Sequence, residues 1–155
     1  MDSKLEIIRR NVIECTKCEL CKTRTNSVPG KGNFQSDVIF VGEAPGRNED
    51  QLGEPFVGIA GQRLVLALQG AGISRESVYI TNVVKCRPPN NRVPTISERN
   101  TCRDYLQKEI SIIKPKIIFK TKKETLGYVL EERRTTNANY FTTSKKWKNR
   151  QKVQI

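Results

Sequence analysis

The chain has 155 residues, a length sufficient for one domain with its own core. Its 28 Lys and Arg outnumber its 16 Asp and Glu, and with no histidine the formal net charge of +12 persists across neutral pH. This excess favours a polyanionic partner, nucleic acid first, although a solvated basic surface gives the same balance. No stretch is apolar enough to span a bilayer, and residues 1–4 lack a secretory apolar region. We therefore expect an intracellular protein of the cytoplasm or nucleoid, away from membranes, whose five cysteines are ligands or free thiols rather than disulfides.

The first half of the chain predicts a helix, then a strand that leads into a polar loop. Apolar residues from Leu5 to Ile13 recur at helical spacing. Val38 to Val41 is apolar and mostly β-branched, which predicts a buried strand that Gly42 ends. Ligands bind beyond the carboxyl ends of parallel strands, so Glu43 in this loop is placed to meet one. An ordinary turn with solvated acids is the alternative.

Helices and strands then alternate along the chain. Phe56 lies among glycines in a loop, as either a platform for a flat ligand or a plug for the core. A helix is predicted over 62–69 and a strand over 78–84, so the crossover makes this strand parallel to the first. A third helix from Ser97, its predicted N-cap, to Ile113 precedes a third strand over 117–119.

The C-terminal segment has a different composition. Residues 121–155 contain nine Lys and Arg against three Glu, which is half of the net charge. We find one helix candidate, Glu124 to Arg133, and no strand before Val153 to Ile155. The sequence therefore predicts a domain over residues 1–120 and a divergent basic segment over 121–155, either a mobile tail or not the natural continuation of that domain.

The cysteines suggest a metal site. Cys15 and Cys18 form a C-x2-C pair, and Cys86 and Cys102 follow at a distance. Four thiolates suit zinc or an iron–sulfur centre, and spacing alone does not separate the two. Buried free cysteines that act as small apolar residues are the alternative. Cys21 is the odd one out, and it could replace Cys15 or Cys18.

Three motifs in order carry a resemblance to a known family. They are Gly42-Glu43-Ala44-Pro45-Gly46 with Glu49-Asp50, then Pro55-Phe56-Val57-Gly58, then Tyr79-Ile80-Thr81-Asn82-Val83-Val84-Lys85-Cys86-Arg87-Pro88-Pro89. With them, residues 12–119 resemble the family 4 uracil-DNA glycosylases, the iron–sulfur members of their superfamily. The resemblance implies an α/β fold, a three-layer α/β/α sandwich around a parallel four-stranded sheet. It also implies a structural 4Fe-4S cluster and hydrolysis of the N-glycosidic bond of deoxyuridine, a step of base excision repair.

The family's functional residues transfer onto matching positions of this sequence. The resemblance implies that the cluster ligands are Cys15, Cys18, Cys86 and Cys102, with Cys21 unassigned. It further implies a uracil pocket made of Gly42, Glu43, Ala44, Phe56 and Asn82, in which Glu43 and Asn82 are catalytic.

Elementary chemistry agrees with this transfer. The amide of Asn82 complements the N3–H and O4 of uracil, whereas cytosine presents the opposite pattern, and each unsatisfied group costs ~1–3 kcal/mol. Phe56 would stack on the base, and backbone N–H groups of the Gly42 to Ala44 turn would hold O2 as charge grows there. Glu43 would orient the attacking water or offset positive charge on the sugar.

One family motif is missing. The family has a His-Pro motif near its C-terminus, whereas this chain has no histidine and nothing similar after Phe119. A frameshift, a truncated reading frame or a diverged tail would each look like this. Because losing one oxyanion donor costs on the order of 10²–10³ in rate, we expect reduced or absent activity beside an intact cluster.

Three functions compete at this point. The first is a monomeric glycosylase acting on uracil in single-stranded DNA or in U:G and U:A duplexes, which the matched set Glu43, Phe56 and Asn82 favours. The second is a catalytically weak or inactive iron–sulfur protein that binds uracil or DNA, which the absence of histidine favours. The third is a zinc-bound nucleic-acid protein.

Overall fold

The computed structural model describes residues 2–121 and 139–142 of the chain. Within these residues the helices are α1 (Asp2–Ile13), α2 (Leu20–Thr23), α3 (Arg47–Leu52), α4 (Ile59–Gly70) and α5 (Ile96–Ile113). The strands are β1 (Lys31–Gly32), β2 (Val38–Gly42), β3 (Tyr79–Asn82), β4 (Ile117–Lys120) and β5 (Asn139–Thr142). None of the described helices is long and apolar enough to cross a membrane.

The strands form one sheet in the order β1-β3-β2-β4-β5. Four of them, β3, β2, β4 and β5, are mutually parallel, and β1 adds a two-residue antiparallel edge beside β3. The predicted α/β fold with a parallel four-stranded sheet is thus confirmed. Because β2 and β3 run parallel and in register, their carboxyl ends meet at the same edge of the sheet.

Apolar side chains cover both faces of the sheet, as three layers require. Alternate residues of β2 point to opposite faces. Ile39 and Val41 pack with α1 and α5 in one buried cluster. Phe40 packs with α4 through Leu68 in a second, where its ring stacks on Phe119 at a centroid distance of 5.0 Å. The sheet is therefore the middle layer between α1 and α5 on one side and α4 on the other.

The predicted N-cap of α5 was wrong by two residues. Thr95 is the cap, and its hydroxyl accepts a hydrogen bond from the backbone N–H of Glu98 at 3.2 Å. The Glu98 carboxylate in return accepts one from the backbone N–H of Thr95 at 2.8 Å. This reciprocal pair requires a threonine three residues before a glutamate, so Ser97 lies inside the first turn instead.

The expectation that no strand precedes Val153 in the C-terminal segment was also wrong. Strand β5 pairs with β4, with Ile117 opposite Asn139 and Lys120 opposite Thr142. Four residues are too few to show a periodic pattern, and the hydrogen bonds offered by β4 decide the conformation. The helix candidate Glu124 to Arg133 and residues 153–155 lie outside the described residues, and the division after residue 120 stays a prediction.

Candidate active site

The carboxyl ends of β2 and β3 open into a cavity of about 640 Å³. That volume falls within the range of about 300–1,000 Å³ found for small-molecule sites. All the residues predicted to hold uracil line this cavity: Gly42, Glu43, Ala44, Phe56 and Asn82. The structure therefore brings together side chains that lie up to 40 positions apart in the sequence.

The Phe56 ring and the Asn82 amide both lie close against Gly42. A Cβ atom at position 42 would lie 2.6 Å from Phe56 Cζ and would overlap the Asn82 side-chain oxygen. The Asn82 side chain is buried at 2% exposure, and Phe56 is buried at 9%. Only glycine at position 42 therefore leaves room for the ring and the amide to share one wall of the cavity.

The backbone at Phe56 is strained, and hydrogen bonds from Arg75 hold it in place. Phe56 has φ = 53°, a conformation that non-glycine residues seldom adopt. The Arg75 guanidinium donates to the Phe56 carbonyl at 2.7 Å and also donates to the Pro55 carbonyl. Gly61 in α4 lies so close that a Cβ there would overlap the Phe56 carbonyl. These contacts fix the ring at the cavity wall, because the surroundings over-determine the strained turn.

Glu49 ties the loop after β2 to the loop that carries Phe56. Its buried carboxylate accepts hydrogen bonds from the backbone N–H groups of Val57 at 3.0 Å, Gly58 at 2.8 Å and Gly46 at 3.1 Å. Because the Glu49 carboxylate accepts these three backbone hydrogen bonds, its role in the described structure is to hold the cavity wall in shape. It joins two loops that both line the cavity.

Glu43 forms an ion pair with Arg99 of α5. The guanidinium Nη2 lies 3.2 Å from Glu43 Oε1, and the two side chains are 12% and 10% exposed. The pair fixes the carboxylate at the cavity wall, at the tip of β2. It also connects α5, which carries Cys102, to the predicted catalytic acid.

A buried polar network lies behind Asn82. Lys85 Nζ donates to the Asn82 carbonyl at 2.8 Å and to Glu109 Oε2 at 2.7 Å. The hydroxyls of Thr81 and Tyr79 donate hydrogen bonds to the Glu109 carboxylate at 2.9 and 3.1 Å. Burial, together with the Glu109 charge, raises the pKa of Tyr79 far above its usual range. The network fixes the end of β3, from which the amide projects.

The second predicted site is a cavity that all five cysteines line: Cys15, Cys18, Cys21, Cys86 and Cys102. Cys86 and Cys102 are buried and the others are half-buried. Within residues 2–121 and 139–142 no three metal-binding side chains are placed to hold a single ion. A tetrahedral zinc site holds its thiolates about 3.8 Å apart. Four cysteine thiolates are also the ligand set that would hold an iron–sulfur cluster.

Two N–H groups point at the buried sulfurs. The Arg24 guanidinium lies 3.1 Å from Cys86 Sγ, and the backbone N–H of Lys85 lies 3.3 Å from Cys102 Sγ. Burial raises the pKa of Cys102 to about 12 and also raises that of Cys86, so a bound metal must displace their protons. Donors and a cation beside thiolate sulfur fit a cluster bound through these cysteines.

Comparison with known proteins decides the family. A model of the uracil DNA glycosylase superfamily matches residues 29–152. The chain belongs to this superfamily. It is 55% identical over 114 residues to a type-4 uracil-DNA glycosylase of Archaeoglobus fulgidus, covering 74% of this chain and 57% of the relative. It is 46% identical over 132 residues to one of Thermotoga maritima, covering 85% and 69%.

The superfamily model and the individual relatives differ in how much of their length this chain matches. A type-4 relative from Sulfurisphaera tokodaii is 50% identical over 133 residues, of which this chain covers 60%. The chain thus spans about three-fifths of the length of the first relatives it matches. The superfamily match runs to residue 152, well into the segment that the sequence predicts as divergent.

Three residues that shape this superfamily member's cavity were not assigned a role from the sequence. Glu49 was noted only as a loop acid, although it stands three residues after the N-cap Gly46, the position from which a glutamate carboxylate can accept from the N-cap backbone N–H. Arg75 and Arg99 act across 19 and 56 residues of chain. No local sequence pattern predicts contacts between residues so far apart in the chain.

Proposed function

We propose that this protein recognises uracil in DNA and hydrolyses the N-glycosidic bond of deoxyuridine, as a repair glycosylase of base excision repair. The meeting of Gly42, Phe56 and Asn82 at one cavity is the observation that carries the proposal. A base inside a duplex is out of reach, so the nucleotide must be extruded into the cavity. The net charge of +12 favours the DNA strand as the partner, single-stranded or in U:G and U:A duplexes.

Asn82 reads the base in this proposal. Its amide accepts from the N3–H of uracil and donates to O4, and its burial means that a mismatched edge leaves polar groups without partners. The Lys85 ammonium holds the carbonyl of the same residue, so the amide is presented from a fixed strand end. Cytosine, with its donor and acceptor exchanged, is rejected for this reason.

Phe56 and the turn after β2 hold the remaining surfaces of the base. The ring offers a flat apolar face, and stacking of a base on an aromatic ring contributes ~1–3 kcal/mol. In this proposal, backbone N–H groups of the Gly42 to Ala44 turn donate to uracil O2, where negative charge develops as the bond breaks. This stabilises the leaving uracil as an anion.

Glu43 supplies the carboxylate on the sugar side. It orients the attacking water or offsets the positive charge that grows on the deoxyribose. The ion pair with Arg99 holds the carboxylate in place before substrate arrives, which reduces the reorganisation needed at the moment of reaction.

The proposed cofactor is a 4Fe-4S cluster held by Cys15, Cys18, Cys86 and Cys102. When bound, it fastens the segment after α1 to the loop after β3 and to α5, and so contributes to the stability of the domain. The shared cavity and the two N–H donors to sulfur support this assignment. Cys21 lines the same cavity without a role in the proposed set.

A second function is favoured by one specific observation. The chain contains no histidine, so a histidine donor to the uracil oxygen is absent from all 155 residues. The same cavity would then bind uracil-containing DNA with weak turnover or none. In either case we expect a monomer, and we expect it inside the cell, because the DNA that it binds is genomic.

The deciding experiment measures binding and excision together. Purified protein is given uracil in single-stranded DNA and in U:G and U:A duplexes, with thymine in place of uracil as the control. We expect uracil to bind more tightly than thymine and to be released slowly. Fast turnover would refute the second function, and equal affinity for uracil and thymine would refute both. Broad absorption near ~400 nm identifies an iron–sulfur cluster, whereas a zinc protein is colourless.

A further inference from the structure

Ile59 is a large apolar residue exposed at the mouth of the cavity. It is the first residue of α4, it is 69% exposed, and it lines the same cavity as Phe56 and Asn82. Scattered exposed apolar residues need no explanation, but one on the rim of a base-sized cavity has a defined neighbour, the nucleic acid that enters it. Its position therefore raises the question of what covers it.

The turn that carries Ile59 is rigid. The Glu49 carboxylate holds the backbone N–H groups of Val57 and Gly58, at 3.0 and 2.8 Å. The Gly58 carbonyl then accepts the first hydrogen bond of α4, from the N–H of Gln62 at 2.9 Å. A side chain mounted on such a turn keeps its place when it is pushed against another surface.

One short segment thus presents two apolar side chains in different directions. Phe56 faces inward, at 9% exposure, and Ile59 faces outward, at 69%. The exposed residue Arg47, which opens α3, lines the same rim and offers a cation to a phosphate. These three side chains fit a DNA strand in which one base is extruded and its neighbours stay stacked. Phe56 would face the extruded base, Ile59 would face the stack, and Arg47 would face a phosphate.

We propose that Ile59 is a wedge that enters the base stack next to the nucleotide extruded into the cavity, with Arg47 against the DNA backbone. Extruding a base leaves a gap in the stack, and proteins that deform DNA fill such gaps with apolar side chains. The inference rests on the proposed function, because it requires a base in the cavity. It adds a residue that serves extrusion rather than recognition.

The test uses the full chain and a short duplex in which 2-aminopurine stands beside uracil, so that unstacking raises its fluorescence. Ile59→Ala is compared with Leu66→Ala, because Leu66 is 67% exposed on the same helix, two turns further on, and does not line the cavity. We expect Ile59→Ala to weaken duplex binding about tenfold and to reduce the fluorescence rise, since the shortened side chain no longer offsets the cost of unstacking. Binding to single-stranded uracil DNA should stay within about twofold, since no duplex stack is opened there.

Three outcomes would overturn the wedge role of Ile59 while the proposed function stands. Unchanged duplex binding and fluorescence in Ile59→Ala would remove its basis, and so would an equal loss on single strands. An equal loss in Leu66→Ala would assign the effect to the whole exposed face of α4. If the wild-type protein does not distinguish uracil from thymine in either form of DNA, the proposed function itself has failed, and the wedge fails with it.

Discussion

Gly42 stands directly opposite Asn82 where the parallel strands β2 and β3 end. The pairing places a residue without a side chain beside the amide that is proposed to read the base. The Phe56 ring also lies close to Gly42. The proposed recognition of a flat base would thus depend on the absence of a side chain at position 42 as much as on the groups that are present.

Replacing Gly42 with alanine tests this relationship. The added Cβ would lie 2.6 Å from Phe56 Cζ and would overlap the Asn82 amide, so one of the two must move. Overpacking of this kind costs ~1–3 kcal/mol, and we expect uracil binding to weaken by about tenfold or more. Binding to uracil-containing single-stranded DNA is the measurement.

A glycine elsewhere provides the control. A Cβ at Gly70 in α4 would meet nothing within 4 Å, so Gly70→Ala should leave binding unchanged and raise stability by ~0.5–1 kcal/mol. Equal binding by Gly42→Ala and Gly70→Ala would show that the cavity wall at position 42 is not used.

Asn82→Asp reverses one half of the proposed base reading. The carboxylate has no donor for uracil O4 and carries a charge into a buried position, so we expect uracil binding and excision to fall roughly ten- to hundredfold. Asn33→Asp makes the same chemical change on an exposed turn, where the side-chain oxygen still accepts from the N–H of Gln35. If both variants keep wild-type excision, Asn82 does not read the base.

Serine substitutions test the cluster ligands one at a time. Changing Cys86 or Cys102 to serine should remove the absorption near ~400 nm, because a hydroxyl is a poor ligand for soft iron–sulfur sites. Cys21→Ser is the matched variant in the same cavity and should keep the colour and the iron content. Loss of colour in Cys21→Ser with retention in Cys15→Ser or Cys18→Ser would reassign the fourth ligand.

The buried pair of Lys85 and Glu109 should be far more sensitive to disruption than a surface pair. The two side chains are 2% and 1% exposed, and their charged atoms lie 2.7 Å apart. Lys85→Met leaves the carboxylate buried and uncompensated, which should lower the free energy of unfolding by ~3–5 kcal/mol. Urea unfolding monitored by circular dichroism measures the loss.

The same helix supplies the control for that measurement. Lys108 pairs with Asp104 at 2.7 Å, but the side chains are 55% and 49% exposed. Lys108→Met should therefore change the free energy of unfolding by at most ~1 kcal/mol. Similar losses in the two variants would contradict the idea that burial sets the cost.

Glu98 should contribute an acid-sensitive part of the stability. A hydrogen bond from the Arg92 guanidinium is the main reason that its pKa lies below the usual 4.5. The unfolded state therefore takes up the proton first as pH falls, so the contribution is present above pH 4.5 and is lost as pH drops through the folded pKa. The stability difference between wild type and Glu98→Gln should hold from about pH 6 down to pH 4.5 and shrink as the pH falls further. A difference that stays constant below pH 4.5 would disprove the assignment.

Local patterns were enough to find much of the molecule. The apolar run before Gly42 predicted β2, the helical spacing of Leu5 to Ile13 predicted α1, and the crossover rule predicted that β3 lies parallel to β2. These features depend on a few consecutive residues and on chain handedness, which sequence displays directly. The C-terminal strand β5 has no such pattern and depends on the edge that β4 offers.

The sequence by itself determined the family motifs, the strand that leads to Glu43, and the number and spacing of the cysteines, because each is a property of neighbouring residues. Only the tertiary structure decided that Arg99 holds Glu43, that Arg75 holds the strained turn at Phe56, and that all the cysteines line one cavity. Those relationships join residues far apart in the chain, and the packing of helices on both faces of the sheet brings them together.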